Sequence, residues 1–159
     1  MGNEKEIEKI IRGFNKKGIR YLLIGRQAVM LYGAPLFSFD YDFWIHPEDK
    51  QQLFEFLEDE LDCEVTGNRS EKKPVFSFYT RTGEKLDIFV FLYVRNSEKE
   101  KISIEETLKN SIKIREPHSH FYVVVPGIDD LIKIKKIKTR PKDLEDIEYL
   151  ESIKKLKMA

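Results

Sequence analysis

The chain carries a single cysteine, Cys63, in 159 residues. That excludes an internal disulfide framework and a zinc site built from cysteines alone. It carries no net charge, because 28 Lys and Arg balance 28 Asp and Glu. Coating of nucleic acid by bulk charge is excluded, although a local basic patch is not. No apolar run approaches the roughly 18 residues that a membrane-spanning helix needs. Met1 to Glu6 is charged at once and lacks the apolar core of a signal segment. Gly2 mimics a myristoylation site, but position 6 is Glu where Ser or Thr is required. Glutamine is scarce, at Gln27, Gln51 and Gln52, while Lys and Glu abound. With the single Cys, this composition points to a thermophilic source. The sequence shows neither an internal repeat nor a low-complexity linker. The expectation is a cytoplasmic, membrane-free protein of one domain, residues 1–159, whose C-terminal part from about residue 127 is helical.

What is present can build a core. Hydrophobic residues make up 41% of the chain, too many for a disordered one. Glu4 to Lys17 places Ile7, Ile10, Ile11 and Phe14 on one helical face, with Gly18 as the stop. Tyr21 to Ile24 reads as a buried strand and Arg26 to Tyr32 as a short helix with Ala28 and Leu31 inward. Phe39 to Ile45 reads as a strand, and Pro47 opens a helix running to about Leu61. Val75–Thr80 and Lys85–Leu92 form a hairpin about residues 81–84. Ser103 with Glu106 caps a short helix near Ile104–Leu108. Short strands at Ile112–Ile114 and Phe121–Val125 precede helices at Asp129–Lys138 and Lys142–Leu156. This order predicts an α+β fold, a mixed sheet flanked by helices with further helices at the C-terminus.

Three carboxylates stand out against this pattern. On a strand Asp40 and Asp42 share a face, about 7 Å apart along the chain, while Tyr41 and Phe43 face the core. Asp87 is alone among apolar side chains in its own strand. Acids inside strands are disfavoured, and a hard cation such as Mg²⁺ would justify them. If the two strands are neighbours, three carboxylates converge, enough for the metal ions of a phosphoryl displacement. Gly25, between a strand and a helix, would let backbone N–H groups approach a phosphate. The alternative is a solvated sheet edge, with Asp87 paired to a Lys or Arg.

Gly25-Arg26-Gln27-Ala28, Tyr32-Gly33 and Ser38-Phe39-Asp40-Tyr41-Asp42 together resemble the signature of the nucleotidyltransferase superfamily. The spacing resembles most the branch that includes the toxin component of bacterial abortive-infection toxin–antitoxin pairs. Asp130 to Lys135 and Arg140 to Asp146 resemble that branch's C-terminal helical motif. The resemblance implies Asp40 and Asp42 as metal ligands, and Asp87 as a ligand or as the base for an attacking hydroxyl. It implies Mg²⁺ or Mn²⁺ as cofactor and a nucleoside triphosphate as substrate, bordered by Gly25, Arg26, Ser38, Lys135 and Lys142. The implied acceptor is an RNA, a protein hydroxyl or a small molecule. Two positions depart from the family's pattern. Arg26 replaces a second small residue, and Leu36-Phe37 occupies a stretch where the family tends to carry Arg. They keep open a non-catalytic member that binds a nucleotide or a protein partner, as half of a toxin–antitoxin pair.

The remaining features have plain readings. Lys133 to Lys142 is the densest basic stretch, suited to a triphosphate or an RNA backbone, or simply to a solvated helix face. His118 and His120 have no third ligand nearby, so zinc is not expected, and Cys63 reads as inert. Most of the eleven Phe residues sit at core-facing positions; Phe37 and Tyr41 lie beside the acid motif, where core packing is the expectation and contact with a base the alternative.

Overall fold

The computed structural model describes residues 5–115 and 121–158. The readings of Gly2, His118 and His120 lie outside the described residues. Helix α1, Glu6–Lys17, buries Ile7, Ile10, Ile11 and Phe14, the face that its periodicity requires. It ends at Gly18, whose φ of +70° is left-handed and costs glycine nothing. Strand β1, Tyr21–Ile24, runs directly into helix α2, Gly25–Leu31. Leu31 does not point inward as its spacing suggested: it is exposed, and Ala28 and Val29 are the buried residues. Strand β2 is Tyr41–Ile45 rather than Phe39–Ile45, because the chain from Ala34 to Asp40 forms a loop.

A 3₁₀ turn, Pro47–Asp49, leads into helix α3, Lys50–Phe54, which widens into a π-helical turn at Glu55–Glu60. His46 caps this entry, its Nδ1 accepting from the Glu48 N–H at 3.2 Å. A two-residue strand, β3 (Glu64–Val65), precedes β4 (Val75–Tyr79) and β5 (Lys85–Phe89). The last closes earlier than the expected Leu92. The chain instead turns into a second hairpin, β6 (Tyr93–Arg95) with β7 (Lys101–Ser103), which the sequence pattern does not announce. Helix α4, Ile104–Lys109, is capped as its motif requires: Ser103 Oγ accepts from the Glu106 N–H at 3.1 Å. A third hairpin, β8 (Ile112–Arg115) with β9 (Tyr122–Val125), is followed by α5 (Ile128–Lys135) and α6 (Pro141–Met158).

The main sheet has the order β1-β2-β5-β4-β3, with β2 and β5 parallel and the other pairs antiparallel. Because side chains alternate across a sheet, its two faces have separate fates. One face, with Tyr21, Leu23, Phe43, Leu86 and Ile88, packs under α1 and α3 in the larger core. The Phe14 ring meets Phe43 edge-on at 5.3 Å there. The opposite face carries Leu22 and Trp44, which α4, α5 and β7 cover through Ile104, Ile134 and Ile102. That cover stops short of Asp42 and Asp87, and the gap is a cleft.

Candidate active site

Asp42 and Asp87 are direct register partners across the parallel pair β2–β5. Neighbouring strands lie about 4.8 Å apart, so two carboxylates of the same face stand side by side. Gly25 closes the third side. Its φ is +72°, and a β-carbon built on it would lie 2.3 Å from Asp42 Oδ2. Only a residue without a side chain permits this approach of backbone to carboxylate. Burial above all, and then the neighbouring Asp87, raise the Asp42 pKa to about 6, with Asp40 adding to them against Lys135 and Lys142. Asp87 is oriented by its other neighbours. Ser77 Oγ donates to its Oδ1 at 2.6 Å, and Lys85 Nζ stands 3.7 Å from its Oδ2. The lysine pairing that the alternative reading foresaw is thus present, but long and half exposed.

Asp40 is placed differently from expectation. It lies outside the ladder, exposed, one residue before β2, yet near enough for Asp42 to feel its charge. Ser38 orders it: Ser38 Oγ accepts from the Asp40 N–H and donates to its carbonyl, both at 3.3 Å. The Ser38 carbonyl in turn accepts from Gln27 Nε2 at 2.7 Å, tying this loop to α2. Phe37 and Phe39 flank Ser38 and are 66% and 78% exposed, meeting edge-on at 4.6 Å. Phe37 is therefore not the core residue expected, because the loop that carries it never enters the sheet; Tyr41 is half-buried against the core.

The basic stretch is divided between fold and cleft. Lys135 is buried, its Nζ between Asp143 Oδ1 at 3.0 Å and Asp146 Oδ2 at 2.8 Å. Arg140 clasps Asp143 as well, with Nε at 2.8 Å from Oδ2. Burial works to raise the Asp143 pKa, but Arg140 and Lys135 prevail and hold it at about 2. Arg26, the departure from the family pattern, turns to α6. Its guanidinium reaches Asp146 at 3.0 Å, Glu145 at 2.8 Å and the Lys142 carbonyl at 3.3 Å. The Lys142 side chain is exposed, and its charge is felt at Asp42. Lys136 is spent on Glu98 at 2.9 Å.

Asp42, Gly25, Lys135, Lys138 and Arg140 line one end of a cleft of about 350 Å³, and Trp44, Phe89, Phe91 and Val94 line the rest. The site's donors are carboxylate oxygens, the kind that Mg²⁺ and Mn²⁺ prefer, and Asp42 is a carboxylate short of positive charge. Among the described residues no three His, Cys, Asp or Glu side chains are grouped closely enough to hold a metal. The arrangement suits an ion shared between one or two carboxylates and the phosphates of a substrate, the usual habit of Mg²⁺. Sequence reasoning missed Ser77, the aromatic floor and the Asp143–Asp146 clasp. Ser77 had one signal, a small polar residue between the core-facing Phe76 and Phe78, on the face opposite to them. Cys63 is buried and its thiol is raised to about 11, chiefly by burial, which fits an inert residue.

No protein-family model and no curated protein matches the chain. Solved structures do. A lincosamide antibiotic adenylyltransferase, bound to lincomycin, superposes with a TM-score of 0.65 at 19% identity, over 95% of this chain and 98% of its own. The chain has the nucleotidyltransferase fold. A nucleotidyltransferase-like protein of Thermotoga maritima gives a TM-score of 0.61 at 12% identity, over 94% of this chain and 89% of that one. The antibiotic-resistance factor ANT(2'')-Ia gives 0.60 at 14% identity, over 94% and 86%. The superfamily resemblance read from the Gly25–Asp42 segment therefore extends to the whole fold. The narrower placing in the abortive-infection branch draws no support from these structures. No described helix is long and apolar enough to cross a membrane.

Proposed function

We propose that this protein moves a nucleoside monophosphate from a nucleoside triphosphate to a hydroxyl group of an acceptor. The observation that carries the reading is the in-register pair Asp42–Asp87, with Gly25 pressed against it, on a fold shared with solved adenylyltransferases. Asp42 and Asp87, with Asp40 beside them, would hold Mg²⁺ or Mn²⁺ through carboxylate oxygens. A bound ion would supply Lewis acidity and neutralise phosphate charge. The acceptor oxygen attacks the α-phosphorus, the bond to the bridging oxygen breaks, and pyrophosphate leaves. Asp87 would serve as a metal ligand or as the base that takes the hydroxyl proton. Lys138 and Arg140, which line the cleft, and Lys142, whose charge reaches Asp42, would serve as phosphate contacts. Lys135 acts on Asp42 through its field rather than by contact, and Arg26 anchors α2 to α6. Most of the rate enhancement in such a site comes from positioning and charge neutralisation.

One solved relative binds lincomycin and another carries adenylyl-2''-tobramycin, so small molecules are the first acceptors to test, before RNA and protein. The deciding experiment is calorimetric titration of each triphosphate in MgCl₂, followed by pyrophosphate release with candidate acceptors. Asp42→Asn should abolish both; triphosphate binding that survives this substitution refutes the metal site. A second reading is favoured by Arg26 and by Leu36, which is packed against the core where the family tends to carry Arg. It is a non-catalytic member that binds a nucleotide or a protein partner, as half of a toxin–antitoxin pair. Binding without pyrophosphate release for any acceptor would select it.

A further inference from the structure

We propose that the acceptor is an uncharged compound with an apolar body and a hydroxyl group, seated beside Asp42 on the partly exposed Phe89, Phe91 and Val94, with Trp44 buried next to them. This rests on the nucleotidyl-transfer reading above. The face that bears the two carboxylates turns apolar at the next step along each strand. Two residues beyond Asp42 on β2 is Trp44, and two beyond Asp87 on β5 is Phe89, and these are again register partners. Trp44 Nε1 donates to the Phe91 carbonyl at 2.9 Å, so the indole's one polar group is already used. Phe89 and Phe91 stack at 6.5 Å between ring centres. A hydroxyl held at Asp42 and Asp87 would therefore belong to a molecule whose body lies on aromatic rings. The cleft volume of about 350 Å³ lies within the usual range of small-molecule sites.

Charge decides which molecules fit. Lys135, Lys138 and Arg140 line the cleft, and among the described residues its lining carboxylates are Asp42 and Asp143. Asp143 is already clasped by Lys135 and Arg140. Lys135 and Arg140 are themselves spent on Asp143 and Asp146, so a polycation would meet Lys138 and find Asp42, the carboxylate needed for the reaction, as the lining's one uncommitted acid among the described residues. The cationic rim suits the triphosphate, which leaves the aromatic floor to the acceptor body.

Trp44 is the chain's only tryptophan and is buried against the Phe91 backbone, so its emission reports occupancy of the neighbouring floor whether or not a reaction follows. The protein in MgCl₂ is titrated with phenyl β-glucoside, with octyl β-glucoside below its micelle concentration, and with tobramycin. ATP binding is followed in parallel by calorimetry. Both glucosides should shift the emission saturably, with affinity at least about tenfold above that of tobramycin. Phe91→Lys buries a charge in the seat and should weaken glucoside binding at least about tenfold. ATP affinity should stay within about twofold, as expected of a separate subsite. Phe91→Leu should restore binding, and Val94→Lys gives the same test if Phe91→Lys fails to fold. No saturable glucoside binding, tighter binding of tobramycin, or parallel loss of ATP affinity in Phe91→Lys overturns the proposal; the last would make the floor a nucleobase seat. Glucoside binding with no ATP binding would instead overturn the transfer reading and leave the seat's preference standing.

Discussion

Replacing Gly25 by alanine separates the local demands of the turn from those of the site. Two glycines share almost the same left-handed backbone: Gly18 at φ +70° and Gly25 at φ +72°. A β-carbon on Gly18 would meet nothing within 4 Å, whereas on Gly25 it would lie 2.3 Å from Asp42 Oδ2. Gly18→Ala should therefore cost only the left-handed penalty, about 1–2 kcal/mol. Gly25→Ala should cost the same plus the displacement of Asp42. The clashing atom is a carboxylate tip, with Asp42 Cγ and Cβ farther off at 3.1 and 3.2 Å. The side chain can swing away at an off-rotamer cost of about 0.5–1.5 kcal/mol. The expected total is about 1.5–3.5 kcal/mol, where 1 kcal/mol lowers Tm by about 2–4 °C at this chain length. Function should suffer more, because a reacting group misplaced by about 1 Å can cost about a hundredfold in rate. Thermal melts of both variants, with metal-dependent ATP affinity and pyrophosphate release, read the two effects apart. Equal stability losses, with ATP binding and turnover intact in Gly25→Ala, would refute the contact between the turn and Asp42.

Three further outcomes follow from the same geometry. Asp42 has a folded pKa of about 6 against an ordinary 3.8, so its protonated form favours folding below about pH 4, and that stability is lost as pH rises through 6. In metal-free buffer Asp42→Asn should therefore be more stable than the parent by about 1–3 kcal/mol at pH 7.5, with the gain vanishing near pH 4 in denaturant titrations. Lys135→Met leaves Asp143 and Asp146 without their shared buried cation and should cost about 3–5 kcal/mol, seen as a lower urea midpoint at unchanged slope. Gly13→Ala should destabilise by about 1–3 kcal/mol despite alanine's better helix propensity, because its β-carbon would overlap the Phe56 ring; a rise in Tm would show that the ring yields freely.

The sequence by itself determined the local elements and the identity of the acids. Period-3.6 spacing fixed the buried face of α1, alternation set Asp42 and Asp87 on faces opposite to Phe43 and Ile88, and the glycine turn marked where backbone must come close. These are short-range consequences of steric and hydrophobic rules, so they can be read from neighbouring residues. The end of the loop at Phe39 and Asp40 escaped, because its aromatic content imitates a strand that long-range pairing never accepts. Only the tertiary structure decided that β2 and β5 are parallel neighbours in a register that sets Asp42 beside Asp87. It also decided that Lys135 and Arg26 are held by α6, and that Trp44, Phe89 and Phe91 floor the cleft. The strand register, the Arg26 contact with α6 and the Trp44–Phe91 contact join residues about 45 to 120 positions apart, which burial brings together and no local pattern encodes, while Lys135 meets Asp143 and Asp146 because α5 and α6 pack on each other.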